Sequence, residues 1–211
     1  MRILARLAAL AFVLVSAPAA IAADSAYTDV DLDHCETLSK PGAEDEPGVF
    51  VSLKCKGYKN YPFYFKEGDL RQAVYFGHLD SRIVDSAFET FGPFNHIGKK
   101  VEWRLDKAGE PYAAIIRYFM ENIDPATGMP DKSTQGQVLV VSKVGQIGDE
   151  TGCVAGYVDA LKNPNPNALA REVADTVAAG FACGEDRPTF HGSKSPSGND
   201  PAYNFPEPAD Q

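Results

Sequence analysis

Residues 49–56, VFVSLKCK, decide the fold class. Val49, Val51, Leu53 and Cys55 alternate with Phe50, Ser52, Lys54 and Lys56. A period of two places the sets on opposite faces of a strand, so this is a half-buried β-strand with Cys55 pointing inward. Two more strand-like runs follow, residues 61–66 and 70–76, and Glu67-Gly68-Asp69 between them reads as a hairpin turn. Phe63 and Phe65 face Val74 and Phe76 across that hairpin, while Tyr64 and Tyr75 point to the other side.

The same alternation returns further on. Residues 100–106 direct Val101, Trp103 and Leu105 inward and Glu102 and Arg104 outward. Residues 112–123 continue it through Ala114, Ile116, Tyr118 and Met120. The β-branched run QVLVVSKV (137–144) is a central strand, and residues 153–158 form a last one. Ile83, Ala87 and Phe91 recur every four residues, which suits a short helix started by Asp80 or Ser81 and ended by Gly92-Pro93. The best helix signal lies near the C-terminus. Asn165 caps, Pro166 takes the first position, Gly180 stops the helix, and Leu169, Val173 and Val177 form its apolar stripe beside Ala170, Ala174 and Ala178.

The N-terminus predicts export. Arg2 and Arg6 precede an apolar run from Ile3 to Val15, and Ala20-Ile21-Ala22 supplies small residues before a cleavage point. Residues 1–22 are thus expected to be a signal peptide, 23–183 one α+β domain, and 184–211 a disordered Pro/Ser/Gly-rich tail. The expected location is the bacterial periplasm or beyond the cell. An oxidising compartment lets the four cysteines pair. Of the possible pairings, Cys35–Cys55 and Cys153–Cys183 are favoured because each closes a short segment.

The full chain carries a formal charge of −9; without Arg2 and Arg6 it is −11. That field repels phosphate backbones, so nucleic acid is excluded as a partner. No apolar run after the leader is long enough to span a membrane. Asp29, Asp31 and Asp33 alternate as in a calcium loop, but His34 and Lys40 stand where glycine and glutamate are needed, so residues 23–32 read as an exposed acidic stretch.

Catalytic motifs are missing. There is no CxxC, no Gly-x-Ser-x-Gly elbow and no phosphate loop. His34, His78, His96 and His191 have no metal-ligand spacing, and no metal or cofactor is expected. Three function classes remain: a non-enzymatic binding or envelope-associated module, an exported hydrolase, and a purely structural envelope protein. If the Tyr64 face is open, Tyr64 and Tyr75 with Lys66 and Arg71 form a binding patch for a protein or glycan partner. In the alternative, an exported hydrolase, the acid and base come from distant strands, with His78, Asp80 and His96 as candidates.

Four strings carry a resemblance: KCKGYKNYPFYFKEGDLR (54–71), GPFNHIGKKVEWRL (92–105), GQVLVVSKVG (136–145) and CVAGYVDALKNPNPNALAREVAD (153–175). Together they resemble a group of small exported alphaproteobacterial proteins of uncharacterised function. The resemblance implies export, chain size and a cysteine framework, and it brings no catalytic residues. The expected fold is α+β, a mainly antiparallel sheet with a C-terminal helix on one face and two disulfides.

Overall fold

The alternating stretches become the strands of two sheets. The structure is a computed structural model, and it describes residues 24–40 and 50–206. The expected signal peptide, Val49 and residues 207–211 lie outside the described residues. In chain order the elements are β1 (Asp24–Asp29), β2 (Glu36–Ser39), β3 (Phe50–Tyr58), β4 (Tyr61–Gly68), β5 (Arg71–Phe76), α1 (Ser81–Ser86), β6 (Thr90–Phe91), β7 (Asn95–Leu105), β8 (Pro111–Met120), β9 (Gly136–Lys143), β10 (Val154–Asp159), α2 (Pro166–Thr176), β11 (Thr189–Phe190) and β12 (Pro201–Ala202).

One sheet has six strands in the order β1-β7-β8-β9-β10-β11, the other four in the order β2-β3-β4-β5. All pairings are antiparallel except β10 with β11. The inward residues of both sheets meet in one core. Phe63, Phe65, Val74 and Phe76 from the smaller sheet pack against Val101, Trp103, Ile116, Tyr118 and Val140 from the larger. Face-to-face packing of two pleated sheets buries one face of each.

Each outer face is partly covered by a helix. α2 covers the larger sheet with Ala170, Val173 and Ala174 buried against Ile115, Leu139 and Val141. Leu169 and Val177 only flank this contact. The alanines form the closest approach because they add no bulk between helix and sheet. Asn165 does hold the cap position, although its side chain makes no cap bond, and a single 3-10 turn carries the chain on to Gly180. On the smaller sheet, Ile83 of α1, Ala87 and Phe205 cover Tyr64 and Tyr75.

Both favoured disulfides are present, Cys35–Cys55 and Cys153–Cys183, with Cα–Cα distances of 4.4 and 5.7 Å. The first ties β2 and the chain before it to β3. The second ties the segment after α2 to the start of β10.

Several expectations are corrected. The acidic stretch is an ordered edge strand: β1 pairs with β7, and Thr28 Oγ1 accepts the Trp103 indole N–H at 2.8 Å. The helix expected to reach Phe91 ends at Ser86. Ala87 turns extended, and its carbonyl accepts the Lys66 amine. Phe91 then joins the inter-sheet core against Tyr118 and Tyr157. Glu102 and Arg104 point away from that core as expected, but they are buried beneath α2. Arg171 bonds Glu102 at 2.6 Å and Asp175 bonds Arg104 at 2.7 and 2.8 Å, so each charge is matched.

The tail after Gly184 folds back as far as residue 206. β11 adds a parallel edge to β10, and β12 pairs with β6. Polar anchors replace the apolar run that the composition lacks. Buried Asp159 accepts from the Ser195 N–H and hydroxyl, and Asn163 exchanges hydrogen bonds with Ser193. Phe190 packs on Tyr157 at 5.2 Å.

Replacing Val173 with Asp would bury an unpaired charge under α2. The variant should lose about 4 kcal/mol or more in urea unfolding, and an unchanged midpoint would refute this packing. Changing Cys153 and Cys183 together to Ala should cost about 3 kcal/mol in the same experiment.

Candidate binding site

The expected patch around Tyr64 does not open to solvent. The alternation places Tyr64, Tyr75 and Lys66 on one face as read, but that face lies under α1. Tyr64 is 7% exposed, and Tyr75 and Lys66 are each 1% exposed. The Tyr75 hydroxyl accepts the Glu89 N–H, and the Lys66 amine donates to the Ala87 carbonyl at 2.7 Å. Burial pushes the Lys66 amine down to about 8, against the opposing pull of Asp85. These three residues hold α1 in place. The sequence pattern could not show this, because a six-residue helix gives too weak a signal to place on a face.

Arg71, the fourth residue of the expected patch, does reach an accessible site. It begins β5, next to the two-residue turn Asp69-Leu70. Its Nε donates to the Gly92 carbonyl at 2.7 Å, and its guanidinium lies 5.0 Å over the Phe94 ring. Pro93, Phe94, Glu121, Asn122, Ile123 and Pro130 complete a groove of about 390 Å³. Phe94 is 42% exposed and Ile123 62%. Exposed Leu70 and Met129 stand next in the chain to Arg71 and Pro130. Three loops supply this concentration of exposed apolar side chains.

The loops are fixed by backbone bonds. Asn95 N–H donates to the Leu70 carbonyl at 3.0 Å, Glu121 N–H to the Phe94 carbonyl at 2.8 Å, and Asp124 N–H to the Met129 carbonyl at 2.8 Å. Buried Asn95 also bonds the Pro93 carbonyl at 2.9 Å and receives the Gln72 N–H at 3.0 Å. The groove is thus preformed. Leu70 has φ +58° and Asp69 φ +49°, so both turn residues are left-handed. A leucine there is disfavoured by about 1–2 kcal/mol. The strain holds an apolar side chain out in solvent beside the groove, a pattern that points to function.

The hydrolase candidates do not converge. His78 and Asp80 follow the far end of β5, where His78 N–H bonds the Gly145 carbonyl and the ring meets Tyr61 edge-on at 5.1 Å. Asp80 caps α1 and pairs with Arg82 at 2.9 Å. His96 lies at the opposite end, stacked on Phe119 at 5.0 Å and 3.2 Å from Glu121. The length of β5 separates them, roughly 20 Å at the rise of a strand.

Another cleft, about 520 Å³, is lined by Asp80, Arg82, Lys143 and Asp149 among others. Asp80 pairs with Arg82 and Lys143 with Asp149, while Glu150 and Glu185 on the same lining form no ion pair among the described residues, so this cleft is acidic where the groove at Phe94 is apolar. Among the described residues no group of three or more His, Cys, Asp or Glu side chains could hold a metal ion. No helix among them is long and apolar enough to cross a membrane.

Comparison of the chain with protein families, with characterised proteins and with solved structures finds no match.

One buried acid belongs to the scaffold. Glu89 is 3% exposed; its Oε2 accepts the Val154 N–H at 3.0 Å and its Oε1 has no partner. Burial pushes its carboxyl up to about 8 from an ordinary 4.5, against the Val154 N–H and Arg187, which lower it. Between those two values the folded protein keeps a proton that the unfolded chain has released. The stabilisation from this group is therefore complete below the lower value, declines as pH rises, and is gone above the upper one. Glu89→Gln should flatten the fall in unfolding free energy between about pH 5 and pH 8. A wild-type and variant pair running parallel across that window would contradict the assignment.

Proposed function

We propose that this protein is an exported, disulfide-stapled binding module that holds a protein partner in the groove around Phe94. The observation that carries the reading is the convergence of exposed Phe94 and Ile123 with Pro93 and Pro130 on a groove whose loops are fixed by backbone bonds. Two disulfides and the leader-like N-terminus support export. The groove favours a protein over other partners because its walls are mostly apolar and its cation, Arg71, already lies over Phe94. An apolar side chain of the partner entering beside Ile123 would remove both surfaces from water, at roughly 25 cal/mol per Å².

A photo-cross-linking residue in place of Ile123 tests this in the native envelope. One partner species should form an adduct, and Phe94→Asp in the same chain should abolish it. A cross-linker at Ile147, exposed at the opposite end of β9, should give none. Equal adducts from both positions, or none from Ile123, would end the proposal. Purified Phe94→Asp should unfold within about 0.5 kcal/mol of wild type, because the ring is exposed. Leu70→Gly should relieve the turn, raise stability by about 1 kcal/mol and weaken the adduct; lower stability would refute the strain.

A further inference from the structure

α2 covers only part of its sheet face. Beyond its first turn, Arg117 of β8 lies half-buried in a cleft of about 330 Å³. Its Nη1 donates to Gln137 Oε1 at 3.0 Å and its Nη2 to Asn167 Oδ1 at 3.3 Å. Among the described residues no carboxylate stands within ion-pair distance of it, in a chain with 29 acidic and 20 basic residues. Burial holds its pKa below the ordinary arginine value, because two neutral amide oxygens and no carboxylate stand in for the lost water.

The surroundings add to the positive field. Arg171 and Lys100 line the same cleft. Arg171 is held by Glu102 and Lys100 by Asp29, both at 2.6 Å. The amino end of α2 faces the cleft at Asn167, with no acidic residue in its first turn and no side-chain cap. The lining also offers acceptors: Glu102, Asn167 Oδ1 and the Tyr27 hydroxyl. A ligand that fits both sets must bring one negative charge and several hydroxyl donors. Glu102 disfavours a dianion such as phosphate. Ile115 and Leu139 form an apolar floor, and the Tyr27 ring is 51% exposed.

We propose that this cleft is a binding site for an acidic saccharide, in which the Arg117 guanidinium takes the sugar carboxylate. The Tyr27 ring stacks on the C–H face of one sugar ring, and Glu102 and Asn167 receive hydroxyls. The site is separate from the Phe94 groove and stands or falls without it.

Titration of the full mature protein with a galacturonate disaccharide, followed by amide and arginine Nε NMR shifts, tests the assignment. Shifts should centre on Arg117, Asn167 and Arg171. The neutral galactose disaccharide and inorganic phosphate should each bind at least about tenfold more weakly. Arg117→Gln should abolish the shifts with the amide spectrum otherwise folded, and Lys100→Gln, at an exposed position, should weaken binding about threefold. Phe94→Asp should leave binding unchanged. Equal binding of phosphate or of the neutral disaccharide would overturn the proposal. So would full affinity in Arg117→Gln, or no shifts at about 10 mM saccharide.

Discussion

The structure depends on the packing of two sheets around Trp103. The indole is fully buried, edge-on to Phe76 at 5.4 Å, and its one polar atom is satisfied by Thr28. A large aromatic ring can fill an inter-sheet core only if its N–H finds a partner and the facing backbone gives it room. Gly57 gives that room: a Cβ there would stand 2.8 Å from the ring and 2.3 Å from the Tyr61 carbonyl. The first disulfide ends at Cys55, two residues before that contact, and so ties β2 beside it. With both inner faces committed to this core and helices over part of each outer face, the accessible chemistry is confined. It lies at the loop end near Phe94 and on the part of the larger sheet that α2 leaves bare.

What the sequence could disclose follows from how each element is held. Strands buried on one face carry a period of two, so β3, β8 and the second half of β7 are legible from alternation, while residues 95–99 of β7 and the end of β8 at Met120 are not. The cysteine pairing was legible because each pair closes a short segment. α2 was legible from its Pro166 start and its stripe, although the deepest contacts fall to Ala170 and Ala174. The elements that were not legible are held by partners distant in sequence. β1 has few apolar residues and is ordered by its ladder to β7 and by the Trp103–Thr28 bond. The tail is ordered by Asp159, whose buried carboxylate reaches a serine 36 residues away. Such polar anchors leave no periodic trace.

The candidate site shows the same division. Alternation correctly separated Tyr64 and Tyr75 from the inter-sheet core, but it could not say what lies over the other face. Arg71 is singled out in the sequence for its proximity to the tyrosines, and it lies instead over Phe94, which approaches from another loop. Phe94, Ile123, Leu70 and Met129 were passed over because scattered apolar residues in loops carry no pattern. Only the unusual leucine at a turn position that favours Asn or Gly offered a local signal. Glu102 and Arg104 alternated as outward charges and became matched ion pairs beneath α2. That arrangement leaves Arg117, two residues beyond Ile115, with no carboxylate of its own.

The chain holds a single tryptophan, so its fluorescence reports directly on the inter-sheet core. The account predicts a blue-shifted emission in the native, oxidised protein, almost unquenched by acrylamide, that turns red-shifted and quenchable in one step as the chain unfolds. A native emission already red-shifted and open to acrylamide would place Trp103 in water and contradict the sandwich from which the rest is derived.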